Sequence, residues 1–198
     1  MRSRILPLLI FPIFLLFVVA SWAKRGPTVS QSATTVPGTS KGEAAYPNTN
    51  PATLAQLMRG TLFPDSNVLF AATGKNPADV PPAKDPSAAT NPLESTYGKW
   101  EAVENSSLAI VETANLLIVP SRLCSNGRPV PTTNPDWPKL VQGLREAGMK
   151  SYEAAQSKNQ DKLTDATDVL TTACANCHVK YRDKDKLEDR CKEDIKLK

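Results

Sequence analysis

From residue 51 onward the apolar positions of this chain recur at intervals of three and four, and no segment shows a sustained two-residue alternation. Four stretches carry the helical period. The first, about 51–72, begins at Pro51 and sets Leu54, Leu57, Met58, Thr61 and Leu62 at helical spacing; Pro64 predicts a bend or restart before Val68-Leu69-Phe70. The second, about 92–119, brings Tyr97, Trp100, Val103, Leu108, Val111, Ala114 and Leu117 near one face. The third starts at Asn134-Pro135-Asp136 and continues through Leu140, Leu144 and Tyr152. The fourth starts near Asn159 and carries Leu163, Ala166, Leu170, Cys174, Cys177 and Tyr181 on its inward stripe. Pro-rich chain at 73–90 and an irregular stretch at 120–133 join the first three. The pattern predicts an all-α domain, an antiparallel four-helix bundle, over residues 51–198.

The chain ahead of that domain is different in kind. Arg2 and Arg4 precede an apolar run, Ile5 to Ala20, and Ser21-Trp22-Ala23 offers small residues at both positions that a signal peptidase inspects. This predicts a secretory signal over 1–23 and an exported, periplasmic protein of bacterial type; membrane attachment arises only if the signal is retained. Residues 24–50 are rich in Ser, Thr, Gly and Pro, too polar to offset their ordering entropy, and predict a flexible leader. Of 24 basic side chains, loss of Arg2 and Arg4 leaves 22 against 20 acidic ones, so net charge selects no partner. Lys and Arg in the tail from Lys180 to Lys198 alternate with Asp and Glu, which gives nucleic-acid binding no support and predicts a solvated helix face.

The candidate chemistry is Cys174-Ala175-Asn176-Cys177-His178, the attachment sequence of a c-type haem. On a helix, residues three and four apart share a face, so both thiols reach one porphyrin edge while the imidazole addresses the iron. His178 is the only histidine, so the other axial position falls to Met, Lys, Asn, water, a gas or nothing. Two other chemistries use the same residues. A thioredoxin-like pair wants a strand before the motif, and none is visible. A structural zinc site could draw on Cys124, Cys174, Cys177, Cys191 and His178, but Cys124 stands far from the compact pairing such sites use.

The run Cys174 to Arg182, with an aromatic (Tyr181) and an arginine (Arg182) after the ligand histidine, resembles the C-terminal signature of the cytochrome c-prime family and its low-spin relatives. Leu57-Met58-Arg59-Gly60 is similar to the N-terminal helix of that family, whose early positions cover the distal haem face. The resemblance spans about 51–186 and is concentrated at the haem motif; the leader, Pro64, the Cys124 loop and the tail depart from it. It implies a single covalent haem c, with His178 proximal and Arg182 beside the proximal face, near a propionate or a small ligand. Counting helical rise places Met58 level with His178, which makes Met58 the candidate sixth ligand or, with Leu57 and Leu62, an apolar lid over a five-coordinate iron. Met149 falls too far along its helix and is expected in the core. Tyr181 and Trp100 are expected against porphyrin.

Cys124 and Cys191 follow the second and fourth helices, which end at the same end of an antiparallel bundle, so a disulfide between them is geometrically reasonable; two free thiols are the alternative. Three functions follow from these readings. The leading one is periplasmic electron transfer to a redox partner protein, with no enzymatic activity. The others are a five-coordinate binder of a small gas such as nitric oxide, and a zinc-stabilised interaction module. Self-association as a homodimer through the first helix is compatible with all three.

Overall fold

A computed structural model describes residues 50–192, within one compact unit, Ala45–Lys198. The expected signal (1–23), all of the expected leader except Asn50, and the last residues of the tail (193–198) lie outside the described residues. The described chain is all-helical, and its only ladder-like feature is a single antiparallel bridge between Leu123 and Pro129.

The first helical stretch begins at Leu54 rather than at Pro51, because Thr53 forms a capping box. The Thr53 amide donates to Gln56 Oε1 (2.8 Å) and the Gln56 amide donates to Thr53 Oγ1 (3.3 Å). The stretch comprises α1 (Leu54–Leu57), a π-helical turn (Met58–Leu62) and α2 (Phe63–Gly74). The expected break at Pro64 is met by the π turn. Proline has no N–H, and its ring would collide with the carbonyl four residues back; a wider turn, in which the Phe63 amide donates to the Met58 carbonyl, absorbs both faults. Pro64 then lies in the first turn of α2, where its missing donor costs little.

The second helix, α3 (Lys99–Leu116), starts later than its period suggested. A short 3₁₀ turn at Pro92–Glu94 precedes it, and the chain doubles back so tightly at Gly98 that a Cβ there would lie 2.5 Å from the Leu93 carbonyl oxygen. Tyr97, expected on the inner face, is therefore exposed on that turn. The third helix, α4 (Trp137–Gln156), and the fourth, α5 (Gln160–Tyr181), complete the set. Asn159 caps α5 through a bond from the Lys162 amide (2.9 Å). Instead of continuing as a helical face, the tail leaves α5 at Tyr181 and forms a 3₁₀ turn at Leu187–Asp189.

Packing runs in a ring: α2 on α3, α3 on α4, α4 on α5, and α5 back on α2. End-to-end hydrogen bonds give the directions. Gln160 Nε2 at the start of α5 donates to the Ala72 and Thr73 carbonyls at the end of α2 (3.2 and 2.9 Å), and Trp137 Nε1 at the start of α4 donates to the Leu117 carbonyl just past α3 (3.0 Å). Neighbours are antiparallel, an arrangement compatible with a four-helix bundle. Leu69, Val103, Ile110, Leu163 and Leu170 fill its centre. Where α3 meets α4 the contact is built from small residues. Ser107 and Ser151 satisfy their hydroxyls on carbonyls of their own helices, and Gly148 lets the backbones approach, since a Cβ there would lie 2.8 Å from Val111 Cγ2. Met149, expected in the core, is 37% exposed because it falls beside the buried stripe of Leu144, Ala147, Gly148 and Ser151.

Gly148→Ala should therefore destabilise the fold by about 1–3 kcal/mol through overpacking, read as a lowered urea midpoint with an unchanged slope.

Candidate functional site

Cys174, Cys177 and His178 occupy the penultimate and last turns of α5, all three half-buried and both thiols free. The end of the bundle where they lie is closed by a polar and aromatic cluster. Tyr181 packs edge-to-face on Trp137 with ring centroids 5.0 Å apart, and its hydroxyl donates to Asp136 Oδ1 (2.8 Å) and accepts from Asn134 Nδ2 (3.2 Å). Lys180 Nζ lies 2.6 Å from Asp136 Oδ2. Asp136, the N-cap residue of α4, thus turns its carboxylate away from its own helix and onto the end of α5. Tyr181, expected against a porphyrin, is instead committed to the core. Trp100 stands at the start of α3, at the opposite end of the bundle, so it cannot serve a cofactor held by Cys174 and Cys177.

Partly buried apolar residues lie both on the first helical stretch and on α5. Leu54, Leu57 and Met58 from the first helical stretch, and Ala173, Cys174 and Cys177 from α5, all pack on the core while keeping part of their surface open. Alongside α5 the first stretch packs chiefly through α2, whereas the π turn packs on α3. An apolar, partly open surface on α1 and another on the last turns of α5 therefore flank the end of the bundle. Leu62, expected in the distal lid, belongs to the core at 8% exposure. The helix bounds place Met58 and His178 close to the ends of their own elements. Met58 is four residues beyond the start of α1, about 6 Å, and His178 is three short of the end of α5, about 4.5 Å. Clefts of about 360 and 510 Å³ lie at the other end, lined by Lys150, Glu153, Lys162 and Asp165 and by Asp85, Ser87, Thr96 and Lys99 among others; neither includes a motif residue.

Electrostatics keep the motif neutral. Burial pushes both thiols upward, Cys177 to about 11, with Cys174 and Asp136 adding to the effect on Cys177 and Arg182 opposing it. The carbonyl end of α5 acts in the same direction. Burial, then Arg182, lowers His178, with Asp183 opposing, so at pH 7 its imidazole is neutral and able to donate a lone pair. A thioredoxin-like centre works by stabilising a thiolate, commonly at a helix N-terminus; this pair has the opposite environment. Arg182 caps α5, is exposed, and bonds Asp183 through Nε (2.7 Å) and Nη2 (3.3 Å). Its charge still acts on Cys174, Cys177 and His178.

A disulfide joins Cys124 to Cys191, as the helix order suggested, and removes two of the ligands a zinc site would need. Among the described residues no group of three or more Cys, His, Asp or Glu side chains is set to hold a metal ion, and no helix is long and apolar enough to cross a membrane. Sequence reasoning missed the Asp136–Lys180–Tyr181 cluster, because Asp136 reads as a helix-initiating residue behind a cap at Asn134, and Arg122, which looks like a loop cation. Arg122 is buried and donates to the carbonyls of Leu116 and Ala52 and to Asn50 Oδ1. Comparison with family models, curated proteins and solved structures gives no match for the chain.

Two measurements check these environments. Alkylation of Cys177 in haem-free protein should still accelerate at pH 10, with its midpoint near 11; a plateau by pH 9 contradicts the burial argument. Burial alone would raise Asp136, but bonds from Lys180 and Tyr181 outweigh it and depress the group below its ordinary 3.8. The stabilisation is present above that value and is lost as pH falls through the depressed one. Asp136→Asn should lower the urea midpoint at pH 6 while losing less than the parent on acidification to pH 3.

Proposed function

We propose that the chain is a c-type cytochrome that carries electrons through one haem, joined by thioethers to Cys174 and Cys177, with His178 as proximal ligand and Met58 as distal ligand. One observation carries the reading: two free, half-buried, neutral thiols and a neutral imidazole share the last turns of α5 beside a partly open apolar surface. Those features fit a haem. Its apolar body would cover residues that are otherwise left half-exposed, and a neutral imidazole is the form that binds iron. When bound, the group supplies a metal that changes oxidation state by one electron.

The chain's own residues account for the rest. Cys174 and Cys177 would hold the porphyrin edge on α5. His178 is held by a helix whose end is clamped to α4 through Tyr181 and Asp136. Leu54 and Leu57 would form an apolar cover on the side that Met58 would face. Arg182, exposed and within electrostatic range of the motif, suits a propionate. A thioether ligand raises the reduction potential, which favours electron transfer over ligand binding. The cytochrome c-prime resemblance, the periplasmic location and a redox partner protein belong to this proposal, resting on the motif and on the signal-like N-terminus.

Protein made together with a haem-attachment system should be red, should keep its colour through acid-acetone extraction, and should lose the covalent link in Cys174→Ala/Cys177→Ala. The ferric form should be low-spin, and Met58→Ala should make it high-spin. A colourless protein defeats the proposal. A red parent that is already high-spin and indifferent to Met58→Ala transfers the reading to a gas-binding protein with Met58 as a lid.

A further inference from the structure

The two elements that carry the candidate axial ligands are held very differently. His178 lies on a helix with Leu163, Ala166, Thr167, Leu170 and Tyr181 buried along it. Met58 follows α1, a single turn with no buried residue, and opens a π turn in which only Leu62 is buried. Leu54 and Leu57 pack on the core only partly buried. Hydrogen bonds to the loop after α3 add to that hold. The Leu54 amide donates to the Leu123 carbonyl (2.8 Å), Arg122 reaches the Ala52 carbonyl, and Asn50 Nδ2 donates to the Pro120 carbonyl (2.7 Å). That loop is in turn joined to the end of α5. Cys124 is disulfide-bonded to Cys191, whose amide donates to the Tyr181 carbonyl (2.8 Å), and Asn126 Nδ2 donates to the carbonyls of Leu187 (2.9 Å) and Arg190 (3.0 Å).

We propose that the Cys124–Cys191 disulfide is a positioning device for the distal ligand, fixing α1, and Met58 with it, in register with His178. This rests on the haem reading above. The path from Met58 runs through one helical turn to Leu54, across to Leu123 and Cys124, through the disulfide to Cys191, and through Tyr181 to His178. Residues 120 apart in sequence are thereby connected through a few fixed links. Cutting the disulfide leaves the bonds of α1 to its loop, and those of the tail to α5, in place, but parts the covalent join between them. Stabilisation of the fold is a separate effect of the same bond, which closes a long loop. That effect acts on the unfolded chain and predicts no change at the iron of a folded protein.

The test uses the folded holoprotein, reduced with dithionite so that the iron is ferrous throughout, with the disulfide intact or opened by a water-soluble phosphine and alkylated. Opening should accelerate carbon monoxide binding at least about tenfold and quicken amide exchange at 54–62, while exchange at 163–170 and helical circular dichroism stay as they were. Cys124→Ser/Cys191→Ser should reproduce this without phosphine, and Met58→Ala should bind carbon monoxide equally fast with the disulfide intact or opened. Unchanged carbon monoxide kinetics on opening, or a parent whose binding is already as fast as that of Met58→Ala, overturns the inference and leaves haem attachment standing. Protein without covalent haem instead defeats the functional reading on which it rests.

Discussion

The cross-link from Cys124 to Cys191 is the constraint through which one end of this bundle is assembled. Around it converge the start of the first helical stretch, the end of α3, and the end of α5 with its tail. Each arrives with unpaired backbone groups, because helix ends leave amides and carbonyls without partners in their own helix. Leu54 gives its amide to Leu123, Leu117 has its carbonyl taken by Trp137, and Tyr181 has its carbonyl taken by Cys191. Arg122 adds a buried cation whose donors satisfy two further carbonyls; burial lowers its affinity for its proton, yet as a guanidinium it keeps its charge. An irregular loop thereby becomes an organising element.

That clamped end is also where the chemistry gathers. Half-burial, the carbonyl end of α5 and a nearby carboxylate all disfavour negative charge on the thiols, while burial and then Arg182 disfavour positive charge on His178. Neutral thiols and a neutral imidazole suit thioether attachment and iron ligation better than thiolate redox chemistry or zinc. The polar cluster of Asp136, Lys180 and Tyr181 keeps the end of α5 from fraying. His178, one turn from that helix end, would otherwise move with it.

At the opposite end the structure shows different economies. Gln160 caps α2 from the neighbouring helix and Gly98 is forced by a close backbone approach, while along the middle of the bundle small residues draw α3 onto α4. These features fix where the helices begin and how closely they pack. None of them places a reactive side chain near the motif.

The sequence by itself determined the helical class, the approximate extent of four amphipathic stretches and the five-residue motif, and it offered the pairing of the remaining cysteines that the structure then showed. Each depends on local spacing or on the order of elements along the chain. Tertiary structure decided what local spacing cannot carry. Thr53 rather than Pro51 starts α1, Pro64 is absorbed by a π turn, Tyr181 turns to Trp137, and Trp100 goes to the far end. Asp136 shows the reason most plainly. Its sequence marks only a helix start, but its carboxylate finds its partners in Lys180 and Tyr181, more than forty residues away, and only folding brings them within reach.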